Sequence, residues 1–262
     1  MKVKVWEGIE TPYIEGRSME ATRIATRNFE SHLRDNPYPG RGFVLGQSSS
    51  APGWIMLYWI MGRSAHSRNR RFVAEGGTLR TVPVDPQLLT DPSLVIYEAM
   101  LELPGIYLVS NGAQTRTMHE ELSSGGTFET ALAQWQQEPD APHYTPRISA
   151  MLRLAQPHVT LSLLKANPVD PTCTDRYTYR PAIPAQGLGV GLTTYRGDGH
   201  PLPSFTGEPL LLPCAGNPAD LLDMYWEALD VNNRVALAVK YIPATGGTGT
   251  ITVRNGQDAM AQ

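Results

Sequence analysis

Cysteine is scarce in this chain of 262 residues, which has only Cys173 and Cys214. Two are too few for a disulfide framework, and two buried thiols are expected rather than one bridge. Long apolar runs are missing. The longest, WIMLYWIM at 54–61, is strand-length and falls well short of the roughly 18 residues of a membrane span. The opening residues, MKVKVWEGIE, lack the apolar stretch of a secretory signal. These lacks predict a soluble, cytoplasmic protein with no membrane partner. The six histidines (32, 66, 119, 143, 158, 200) stand far apart, so neither a metal site nor a metal cofactor is expected. Phosphate-binding glycine motifs are incomplete. GLGVGL (187–192) has the wrong spacing for a dinucleotide fingerprint, and ATGGTGT (244–250) lacks a P-loop's lysine. A net charge of −3 gives no general attraction to nucleic acid. Lysine is rare, 4 against 18 arginines. Arginine suits bidentate capture of phosphate or carboxylate.

Acid is missing where arginine gathers. Between Asp35 and Glu75 the chain carries Arg41, Arg63, Arg68, Arg70 and Arg71 and no carboxylate. A solvated face mixes signs, so this stretch points to an anion from outside. Around it, RGFVLG (41–46) and WIMLYWIMG (54–62) read as a buried hairpin. Strands are expected at 71–75, 78–84, part of 94–103, 105–110, 189–197, 234–242 and 249–255, and 147–155 with 159–166 read as a strand pair, with a helix the alternative for either. Helices are expected at 19–34, with Ser18 as cap, at 127–137 and at 218–229. A proline-bearing excursion covers 167–187, and the tail is expected to fray. Hairpins interrupted by a few helices predict an α+β fold in a single domain.

Four short polar clusters stand at strand ends. They are YPGRGF (38–43), RNRRF (68–72), VSNGAQTRTM (109–118) and HYTPRISAM (143–151). Arg41, Arg70 and Arg147 each sit at the end of an apolar strand, where a fold delivers side chains to one rim.

In order, YPGRGFVLG, GRSAHSRNR, LVIYEAMLE, YLVSNGAQTRTM and YTPRISAM resemble the archaeal-type inosine monophosphate (IMP) cyclohydrolase family. The resemblance spans about residues 37–160 and continues weakly to 242. It leaves 1–36 as an N-terminal extension. Residues 63–71 carry an extra residue and an extra arginine relative to the family pattern.

That resemblance implies an Ntn-hydrolase-like, four-layer αββα sandwich of two antiparallel sheets flanked by helices. It also implies ring closure of 5-formamidoimidazole-4-carboxamide ribotide to IMP, without a cofactor. The partner would be a small nucleotide, and the strand-rich layers leave a homo-oligomer open. The implied catalytic residues are Arg70, Tyr97 and Glu102. Arg41, Arg63, Asn69, Asn111, Gly112 and Arg147 would bind substrate. Two alternatives stand beside this reading: an Ntn-type amide hydrolase, and a non-catalytic purine nucleotide-binding protein.

Overall fold

A computed structural model describes residues 10–88, 92 and 94–257, with side chains from residue 18 onward. The tail expected to fray lies beyond 257, outside the described residues.

The 54–61 run decides the architecture. It forms β2 (Gly53–Met61), in which every residue from Trp54 on is buried. A strand without a wet face must lie in the middle of a covered sheet. It pairs with β1 (Gly42–Gln47) on one side and β12 (Arg234–Pro243) on the other. The full order of this sheet is β11-β10-β1-β2-β12-β13, adding β10 (Leu188–Thr193), β11 (Leu210–Pro213) and β13 (Thr250–Asn255). The second sheet runs in sequence order. It comprises β3 (Arg71–Glu75), β4 (Thr78–Val82), β5 (Glu98–Leu103), β6 (Ile106–Ser110), β7 (Arg147–Arg153), β8 (His158–Ala166) and β9 (Thr174–Tyr179). All neighbours in both sheets are antiparallel.

The period of two along β6 and β7 sorts side chains between layers. Tyr107, Val109, Ala150 and Leu152 face the other sheet and join the large core. Leu108 and Met151 face outward, into a smaller core with Met118, Leu122, Phe128 and Leu132. Those residues belong to α3 (Gln114–Ser123) and α4 (Phe128–Leu132). On the opposite side, α1 (Glu10–Phe29) packs on β11, and α5 (Pro218–Ala228) packs on β12 and β13. The result is helix, sheet, sheet, helix, the α+β sandwich expected.

Several local expectations change. The first helix begins at Glu10, so Ser18 lies inside it rather than capping it. Its last turn widens to a π-helix at Glu30–Arg34. The helix expected over 127–137 stops at Leu132, and Trp135 packs beside its core without continuing it. The polar cluster at 109–118 bends at Asn111-Gly112 and then opens α3, a helix not expected there, at Gln114. The excursion at 167–187 contains β9, an edge strand with exposed residues. Cys214 is buried and Cys173 exposed, and both are free thiols.

Candidate active site

The register brings five strand ends to one end of the sandwich. Gly42 opposes Trp59 and Thr193 within one sheet. Ser110 opposes Ser149 in the other, two residues into β7. The chain therefore delivers Arg41 (before β1), Arg63 (after β2), Asn111 (after β6) and Arg147 (opening β7) to one rim. A cavity of about 290 Å3 opens there, with Arg41, Arg63, Arg70 and Glu138 in its lining. Gly40 in the lining makes one wall possible: its φ is +74°, and a Cβ there would stand 2.1 Å from Thr194 Oγ1 and 2.5 Å from the Tyr195 ring.

Glu138 organises the inner wall. It lies in the connection between α4 and β7, only 3 % exposed. Arg41 Nη2 donates to its Oε2 at 2.8 Å, while Arg41 Nη1 donates to the Asn111 carbonyl at 2.9 Å. Burial works against the Arg41 charge, and Glu138, with Tyr97 and Tyr58 adding, more than offsets it, so the pKa stands well above its usual value. Arg147 is held flat by the Trp135 ring at 4.7 Å and donates to the Gln136 carbonyl and to Gln114 Oε1. Burial lowers its pKa, with Glu138 opposing. Glu138 Oε1 is 3.8 Å from Arg147 Nη1, too far for a hydrogen bond, and has no partner among the described residues. A buried carboxylate oxygen without a donor is costly and suits a ligand N–H.

Arg70 presents the opposite case. It is 5 % exposed and meets no carboxylate among the described residues. Its Nη2 donates to the Met61 carbonyl at 3.1 Å, and its buried Nε has no acceptor. Beside it the Tyr58 and Tyr97 hydroxyls are 2.7 Å apart. Burial, then Tyr97, holds the Tyr58 pKa well above its usual value, with Arg41 opposing. Two hydroxyls joined by one hydrogen bond leave one proton unused.

The remaining wall is a relay of hydroxyls. Thr145 donates from its backbone to Asp140 Oδ1 at 2.7 Å and from its hydroxyl to the other oxygen. The Tyr195 hydroxyl must then donate to Thr145 Oγ1 at 2.5 Å. Burial raises the Tyr195 pKa, opposed by Arg41.

This cavity sits within a recognised stretch of sequence: a family model described as IMP cyclohydrolase-like protein matches residues 38–247. The chain belongs to that family. No curated protein matches the chain. The IMP cyclohydrolase-like stretch takes in every part of the cavity wall named above and leaves α1 outside it.

The implied site residues divide into three groups. Arg41, Arg63 and Arg70 line the cavity, and Arg147 stands behind Glu138. Tyr97 reaches the same end through Tyr58. Asn69, Asn111 and Gly112 shape the wall instead. The Asn69 amide clamps both backbone groups of Asp85 at 2.8 Å. The Asn111 side chain makes three bonds, to Pro146, Ile148 and Gln114. A Cβ at Gly112 would stand 2.5 Å from Arg147 Nη1, so glycine there makes room for the guanidinium. Glu102 is not brought to this cavity. It lies at the other end of the sandwich, paired with Lys240. Glu138, Asp140, His143 and Tyr195 line the cavity without having been picked out. The signal available was two acids and a histidine directly ahead of the Thr-Pro-Arg block.

Proposed function

We propose that this cavity closes the six-membered ring of a purine ribotide, converting 5-formamidoimidazole-4-carboxamide ribotide to IMP. A bond forms from the carboxamide nitrogen to the formyl carbon. The formyl oxygen leaves as water, taking one proton from the carboxamide nitrogen and one from the formamide nitrogen. Both reactants are tethered in one molecule, so the protein's work is orientation, charge stabilisation and proton movement. Glu138 Oε1, buried and without a donor, receives the carboxamide N–H. Arg70 meets the negative charge that grows on the formyl oxygen. The spare proton of the Tyr58–Tyr97 pair is delivered to that oxygen as it leaves, and the pair is restored by the proton lost from the formamide nitrogen.

The observation that carries this reading is Arg70, a buried guanidinium on a cavity wall that, among the described residues, meets no acid and has an unsatisfied N–H. An amide hydrolase on this fold would need Thr, Ser or Cys at the start of β1, and Arg41-Gly42 stands there. The test is to mix the pure protein with the formylated ribotide and follow IMP by chromatography. Arg70→Ala is expected to lower kcat by roughly 100-fold or more, the scale of a lost oxyanion donor. Unchanged kcat and KM in that variant would remove Arg70 from the mechanism.

A further inference from the structure

We propose that Arg63 and His143, at the mouth of the cavity, form the subsite for the ligand's phosphate, and that Asp198 competes with that phosphate for Arg63. This rests on the functional reading above and adds the ligand's orientation to it. Apart from Arg70, which the functional reading commits to the formyl oxygen, the inner wall has no charge to spare. Arg41 and Arg147 are both turned to Glu138, and Asp140 adds a second carboxylate. Two positive and two negative groups cancel, so a dianion gains little there.

The mouth differs. Arg63 lies in the cavity lining with its guanidinium over the Tyr38 ring at 5.0 Å, which fixes its plane. Its one carboxylate partner among the described residues is Asp198, whose side chain is 49 % exposed. Asp198 rides on the connection 196–203, outside both sheets. Arg63 Nη1 also donates to the Gly199 carbonyl at 3.0 Å. An exposed, loop-borne carboxylate is a weak partner, and a phosphate dianion displaces it readily.

His143 supplies the second donor. The Leu202 backbone N–H donates to His143 Nδ1 at 3.0 Å. A backbone N–H can only donate, so Nδ1 accepts, and the proton of the neutral ring sits on Nε2. That Nε2–H has no acceptor among the described residues. Asp140, Arg63 and His200 are the charged or titratable groups that face the ring. Ser64 and Ser67, also in the lining, are spent on each other in the capping box of the short helix α2 (Ala65–Arg68). The loop 196–203, anchored at Arg196 by Asn36, is thus pinned in its middle by Arg63 and near its end by His143. Both pins are the groups the phosphate would take.

The test measures IMP and inosine binding by titration calorimetry. Wild-type protein is expected to prefer IMP. Arg63→Ala should weaken IMP by on the order of tenfold to a hundredfold, the size of one charge-assisted contact, and leave inosine unchanged. Asp198→Asn should tighten IMP several-fold, again without effect on inosine. An Arg63→Ala protein that keeps the wild-type ratio of IMP to inosine overturns the subsite. An Asp198→Asn protein that binds IMP more weakly overturns the competition. If the wild-type protein binds neither ligand and forms no IMP, the functional reading itself fails. Arg63 is partly exposed and Asp198 half exposed, and neither belongs to the core, so circular dichroism should show both variants folded.

Discussion

Glu138 is where the charge balance of the cavity turns. It answers Arg41 across 97 positions of sequence and stands close to Arg147. Glu138→Ala leaves two buried guanidinium groups facing each other, a change worth about 3–5 kcal/mol. The unfolding midpoint should fall by roughly 10 °C in calorimetry. Glu138→Gln, which keeps the shape, should lose less stability and still lose turnover. His143 sets an acid limit. Burial holds its pKa below the usual 6.5, with Asp140 opposing and Arg63 and His200 adding to the shift. Below 6.5 the unfolded chain takes up the proton before the folded one does. Stability therefore rises with pH through that window and is lost on acidification. His32, also lowered by burial, adds in the same direction. In His143→Asn the slope of midpoint against pH between 5 and 7 should flatten without vanishing. The arginines were legible as candidates because 36–74 holds no acid. Glu138 was not, because a glutamate beside proline in a polar stretch reads as a solvated loop and its partner is distant. Glu102 misled for the same reason in reverse: register, not residue type, put it at the other end.

At the scale of elements, strands were easier to read than helices. β1, β2, β6, β7 and β12 are apolar or alternating runs with turn residues at their ends, and the pattern is set by burial on both faces. α3 hid because it carries only two hydrophobic residues, Met118 and Leu122, and its cap, Ala113, offers no side-chain bond. β9 hid because it is an edge strand, TDRYTY, with little to bury. The turn from β6 into α3 is where element geometry meets the site. Gly112→Ala would set a Cβ against Arg147 Nη1 and Gln114 Oε1, at 2.5 and 2.6 Å. Arg147 must then leave Gln114. The expected cost is about 1–3 kcal/mol of stability, with a larger proportional loss of turnover. Equal thermal midpoints and equal kcat for the two proteins would contradict this.

At the scale of the molecule, the two sheets are joined by polar contacts at both ends. Arg41, from the six-stranded sheet, holds Asn111 and Glu138, which extend from the seven-stranded one. Lys240 on β12 crosses in the other direction to Glu102 on β5 and to the Gly77 carbonyl, with the Tyr107 ring 5.3 Å away. Burial lowers the Lys240 pKa, and the Glu102 contact opposes this. Lys240→Met removes that tie and should cost about 1–3 kcal/mol, since Glu102 retains 18 % side-chain exposure and can rehydrate. Cyclisation should be unaffected, because the pair lies at the far end from the cavity. A third tie runs along one side, where the Asn255 side chain holds both backbone groups of Phe72 and docks β13 on β3. A sandwich fastened at both ends and along a side cannot breathe open at its seam to exchange a bound molecule. The 196–203 loop stands at the mouth, and Arg63 and His143, two side chains of the cavity itself, help Asn36 to hold it there. Substitutions in that loop should therefore change how long a ligand stays more than how the chemistry proceeds.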